Sequence, residues 1–132
     1  MRSAPSFALA FALCICSAAC NTTEPLSVCP DSVTVSVSPG LSPDFDWSPR
    51  CGIHIISVMQ EGIVDDDARV RWAINVPPPT LMAAPMLFGQ VPAGASVETA
   101  AKPLETGKAY GVRIYRVDPN RVTLVGIKFF QP

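Results

Sequence analysis

Proline limits this chain more than any other residue. Thirteen of its 14 prolines lie beyond residue 19, more than twice the usual share of roughly 5%. A proline lacks the amide donor and fixes φ, so helix interiors reject it while loops between strands accept it. The segments between prolines alternate with period two. Val33, Val35 and Val37 interleave with Ser32, Thr34, Ser36 and Ser38, and Phe45 and Trp47 with Asp44, Asp46 and Ser48. Ile53 to Met59 is a β-branched run that could be buried on both sides. Val70, Trp72, Ile74 and Val76 share a face, and Pro77-Pro78-Pro79 ends that strand. A short or edge strand is expected near Met86–Phe88. Tyr110, Val112 and Ile114 alternate with Gly111, Arg113 and Tyr115, Asp118-Pro119-Asn120 signals a turn, and Val122 to Phe130 closes the hairpin. The spacing predicts an all-β chain folded as a single seven-stranded antiparallel β-sandwich.

The 132 residues allow one domain. A formal charge of -1 gives no reason to expect a nucleic-acid partner, which calls for a clustered basic surface. Mean hydropathy is +0.30, yet no apolar run reaches the roughly 18 residues that span a bilayer. Part of the apolar content sits at the N-terminus. Met1-Arg2 is a minimal basic start, Phe7 to Ile15 reads FALAFALCI, and Ser17-Ala18-Ala19 precede Cys20. This is the pattern of a secretory signal peptide over residues 1–19.

Two readings cut at the same bond. Ser17-Ala18-Ala19 fits an ordinary small-residue cleavage site, releasing a secreted protein. Ala18-Ala19-Cys20 resembles a bacterial lipobox, with Ser17 where that family prefers Leu. The resemblance implies a lipoprotein whose Cys20 carries diacylglycerol and usually a third acyl chain such as palmitate. Several chains anchor stably where one is marginal, at about 0.8 kcal/mol per buried methylene. It places the chain in the cell envelope, facing periplasm or exterior, with residues 20–29 as a tether. Asn21-Thr22-Thr23 also spells a glycosylation sequon, a chance match beside a bacterial export signal.

Cysteine use fits export. Cys14 and Cys16 lie inside the signal, and Cys20 is taken if lipidated, leaving Cys29 and Cys51 as an even pair. A disulfide between them is expected, worth on the order of 3 kcal/mol for a loop of this size. Zinc would need four N/S ligands, and only His54 could join these two; two buried free thiols are the remaining alternative.

Two further patterns bear on the fold. Leu104-Glu105-Thr106-Gly107-Lys108-Ala109-Tyr110-Gly111-Val112-Arg113-Ile114 resembles the corner between the fifth and sixth strands of a fibronectin type III domain. In that family, and in immunoglobulin-like sandwiches generally, the tyrosine hydroxyl bonds backbone upstream and locks the corner. Leu104, Gly107 and Tyr110 carry the likeness. Pro43-Asp44-Phe45-Asp46-Trp47-Ser48-Pro49 is similar to the family's second strand, whose Trp fills the core; Trp47, with Trp72, is therefore a core candidate. The resemblance covers residues 30–132 as one domain. It implies a fold, not an activity. A disulfide is unusual in the family, and no Arg-Gly-Asp occurs.

Sites of chemistry are sparse. His54 lies in the run Gly52-Ile53-His54-Ile55-Ile56 and reads as a sheet histidine. No nucleophile-elbow, zinc-protease, phosphate-loop or dinucleotide motif is present, so no catalytic residue, metal or cofactor is assigned. Asp65-Asp66-Asp67 reads as a solvated hairpin loop, with weak cation binding as the alternative. Asp44 and Asp46 read as solvent-facing residues flanking Phe45 and Trp47. Arg69, Arg71, Arg113 and Arg116 suggest a mixed surface. The apolar loop Pro77–Phe88, with Met82 and Met86, either closes the end of the sandwich or forms a binding surface. The expected function is a lipid-anchored envelope module that binds or supports an envelope protein or glycan. A secreted subunit of a complex and a small carboxylate enzyme are the alternatives.

Overall fold

The structure, a computed structural model, describes residues 24–132. The expected signal peptide 1–19, the candidate lipid site Cys20 and residues 21–23 of the expected tether lie outside the described residues.

Among the described residues, eight strands and one helical turn follow in order: β1 Thr34–Val37, β2 Asp44–Ser48, β3 Ile55–Gln60, α1 Asp66–Arg69, β4 Val70–Asn75, β5 Met86–Leu87, β6 Ser96–Thr99, β7 Tyr110–Asp118 and β8 Arg121–Phe130. They form two antiparallel sheets, one ordered β1-β2-β5 and the other β6-β4-β3-β7-β8. The chain is therefore all-β with two sheets around one apolar core, consistent with a β-sandwich. The strand count is eight rather than the expected seven. The extra strand, β6, pairs with β4 at the sheet edge; its sequence Ser-Val-Glu-Thr buries no side chain, so no apolar alternation announces it.

In β2 and β4 alternation and structure agree. In β2, Phe45 and Trp47 are buried while Asp44, Asp46 and Ser48 are exposed. In β4, Trp72 and Ile74 face inward. Pro119-Asn120 makes a two-residue turn, since Asp118 pairs directly with Arg121. Phe45, Ile53, Ile56, Val58, Ile74, Tyr110, Val112 and Ile114 are fully buried in the core, each large aliphatic contributing about 1.5–3 kcal/mol by leaving water. Phe45 stacks on Trp72 at 6.3 Å between ring centroids, and Phe88 meets Trp72 edge-on at 5.6 Å.

Asp65-Asp66-Asp67 does not lie in a plain loop. Asp65 caps α1, its side chain accepting from the Asp67 amide at 3.1 Å, and Asp66 and Asp67 occupy the first turn, where a helix favours negative charge. The last residues of the expected 20–29 tether are paired with the domain. The Gly52 amide donates to the Ser27 carbonyl at 2.7 Å and the Cys29 amide to the Gly52 carbonyl at 3.0 Å, so the chain joins the domain from Ser27 onward.

Candidate functional site

Cys29 and Cys51 are disulfide-bonded, with Cα atoms 4.7 Å apart, and both are buried. Trp47 packs beside this bridge, its indole Nε1 donating to the Cys51 carbonyl at 3.0 Å. A buried indole N–H needs such a partner. The corner residues converge as well. The buried Tyr110 hydroxyl accepts from the Glu105 amide at 2.8 Å, Leu104 is buried, and Gly107 takes φ +82°, a region that disfavours a side chain.

The N-terminal segment is held from a second direction by Arg116. Its guanidinium donates to the Cys29 carbonyl at 2.9 Å, to Asp31 at 2.8 Å and to Asp118 at 2.6 Å. Thr123 adds a hydroxyl bond to Asp118 at 2.7 Å. These bonds hold the Asp118 carboxyl at about 2, with the Arg116 bond the largest cause, and raise the Arg116 pKa. Nearby, the buried His54 accepts the Val117 amide at Nδ1, 3.0 Å away. Burial lowers its pKa, with Asp118 opposing and Arg116 adding to the shift. His54 is thus a satisfied sheet residue.

The acids are not gathered. Asp44 and Asp46 stand on the exposed face of the smaller sheet, while Asp65 caps α1 beyond the larger sheet. Among the described residues, no three His, Cys, Asp or Glu side chains cluster as a metal site would require. Two surface depressions are shallow in chemistry. One, of about 240 Å³, lies between Asp31–Val33 and Leu124–Ile127; the other, of about 350 Å³, is lined by Glu24–Ser27 and Arg50. Met82 and Met86 are buried and Phe88 packs against the core, so the Pro77–Phe88 loop closes the sandwich and does not present its methionines outward.

Four of the exposed large apolar side chains lie on β8. Val122, Leu124, Ile127 and Phe129 are 55, 44, 40 and 59% exposed. By register they share the outer face of the larger sheet with Val117, Tyr115, Arg113 and Gly111 of β7, and Tyr115 pairs onward with Ile55. The one cation there, Arg113, is neutralised by Glu61 at 3.0 Å and lies 5.9 Å from the centre of the Phe129 ring. The strip was invisible in the sequence because a bulge at Ile114/Tyr115 places Val125 and Gly126 inward together and breaks the alternation of β8. The bonds from Arg116 to Asp31 and to the Cys29 carbonyl carry no local signal either, since those partners lie 85 and 87 residues away. Compared with family models, curated proteins and solved structures, the chain matches none.

Proposed function

We propose that the chain is a bacterial envelope lipoprotein, anchored through Cys20 and displaying one fibronectin type III-like sandwich as a binding or structural module. The observation that carries the module reading is the set of exposed apolar side chains along β8 on the outer face of the larger sheet, where an enzyme would need a cleft that gathers polar groups. The corner at Tyr110, the inward Trp47 and the two antiparallel sheets support the fibronectin-like assignment. The Cys29–Cys51 disulfide suits an oxidising compartment, in keeping with the export signal and Ala18-Ala19-Cys20. An envelope protein or glycan is the expected partner class.

Mass analysis of the mature N-terminus, combined with a crosslinking pull-down from intact membranes, tests the proposal. A diacylated or triacylated Cys20 in the membrane fraction is the expected result. An unmodified Cys20 on a soluble chain overturns the anchor, and a catalytic turnover assigned to the purified chain overturns the module reading.

A further inference from the structure

We propose that the end of the sandwich built from Leu26, Val28, Arg50 and Leu81 seats on the lipid surface that holds Cys20. The inference rests on the reading of Cys20 as a lipid anchor and adds to that anchor a fixed orientation of the domain. The N-terminal segment is laid along this end. Val28 bridges to Gly52, and the Gly52 amide donates to the Ser27 carbonyl at 2.7 Å. A Cβ added at Gly52 would lie 2.6 Å from Leu81 Cβ and 3.0 Å from Leu26 Cδ2, so the two leucines meet over the bare glycine backbone. Leu26 and Val28 still remain 38 and 50% exposed. An apolar surface is thus left where the chain enters the domain. Arg50 lines a depression of about 350 Å³ with Glu24–Ser27 and makes no ion pair among the described residues.

Chain reach decides what covers that surface. The six residues leading from Cys20 to Leu26 span at most about 20 Å when fully extended. Leu26 lies at the end of the strands that also carries the β2–β3 link and the β7–β8 turn, because Val28 bridges to Gly52 and Arg116 bonds the Cys29 carbonyl and Asp31. The β3–β4 connection, with Val64 97% exposed, lies at the opposite end. The ten residues of β8 separate the two ends by about 30 Å. With the far end against the bilayer, Leu26 would stand beyond the reach of its own tether. The near end is within reach and holds apolar side chains beside the attachment point itself. Charge does not oppose the contact. Arg116 pairs with Asp31 and Asp118, which leaves Glu24 as the one acid of the depression, opposite Arg50. The Arg50 guanidinium suits lipid phosphates, while exposed apolar side chains enter the headgroup layer. Attachment through Cys20 makes the encounter intramolecular, so a small patch suffices.

The test reconstitutes the full acylated chain in vesicles of phosphatidylethanolamine and phosphatidylglycerol, with a photoreactive phenylalanine analogue in place of Val28, Val64 or Phe129. Mass analysis after irradiation reads the addition of one phospholipid. The expected yield is about tenfold higher from position 28 than from 64 or 129, since only position 28 is held against the lipid. It should fall several-fold in Leu26→Glu/Arg50→Glu. That variant should keep its thermal midpoint, because both side chains are exposed, and its acyl chains should keep it in the vesicle fraction. No lipid adduct from 28, equal yields from 28 and 64, or a yield unchanged in the variant overturns the seating and leaves the anchor intact. A dominant adduct from 129 moves the contact to the β8 face and overturns it as well. A Cys20 without acyl chains overturns the anchor reading and the seating with it; the mass of the N-terminal peptide separates that failure from the others.

Discussion

Tyr110 and Glu105 close the corner before β7, the tyrosine hydroxyl accepting the Glu105 amide at 2.8 Å from a fully buried ring. Tyr110→Phe keeps the ring and leaves the amide without its partner. A loss of about 1 kcal/mol follows, or about 4 °C in Tm for a domain of this size. Circular dichroism melts of the two proteins check this, and an unchanged midpoint would show that the corner is held by packing alone.

The disulfide should be the largest single covalent contribution. Replacing both cysteines, Cys29→Ser/Cys51→Ser, is expected to lower stability by on the order of 3 kcal/mol, given a separation of 22 residues. Urea unfolding measures the loss, and non-reducing peptide mapping of the unaltered chain should recover the two cysteines in one linked fragment.

Two acid-sensitive limbs should appear in separate pH windows. His54 has a folded pKa below its ordinary 6.5, so the unfolded chain takes up the proton first. Stability is full above about 6.5 and falls as pH drops toward the folded value. Asp118 titrates at about 2 instead of 3.8, so its contribution is complete above the ordinary value and is lost as pH falls through the interval down to about 2. Urea midpoints across pH should show both limbs. His54→Gln should remove the upper limb alone, whereas Asp118→Asn should remove the lower limb and deepen the upper one, because it takes away the charge that opposes the His54 shift; a single limb surviving both changes would contradict the assignment.

Gly126 sits where β1 presses on β8. A Cβ there would lie 2.7 Å from Val35 Cγ2 and 2.8 Å from Val33 Cγ2. Gly126→Ala is therefore expected to cost about 1–3 kcal/mol through overpacking, measured by chemical denaturation. Gly62→Ala provides the contrast in space, since nothing lies within 4 Å of its added carbon, though its φ of +79° carries its own strain.

Periodicity made the interior legible. Val35, Phe45, Trp47, Trp72 and Ile74 could be placed inside because polar or small neighbours flank each of them on its strand, and burial on one face leaves that trace. Leu104, Gly107 and Tyr110 were readable because the corner is local. What escaped detection depends on distance or on broken alternation. β6 has no buried residue to mark it, the Arg116 contacts with Cys29 and Asp31 join chain segments more than 80 residues apart, and the β8 bulge hides an apolar face within what reads as an ordinary closing strand. The short helix was missed because three aspartates resemble a loop until the first is seen to cap the turn.

The linkage between Cys29 and Cys51 also sets how the domain would carry a mechanical load. β1 and β2 both lie within the stretch that the bridge closes. Tension applied at the N-terminus would pass from Cys29 through the sulfurs to Cys51, just ahead of the central strand β3, and would bypass the β1–β2 hairpin. The hairpin is thereby spared from peeling, and resistance to extension falls on the long β3–β7 and β7–β8 ladders. Under reducing conditions the same pull would load β1 first, so its hydrogen bonds with β2 would become the weakest point in the line of force.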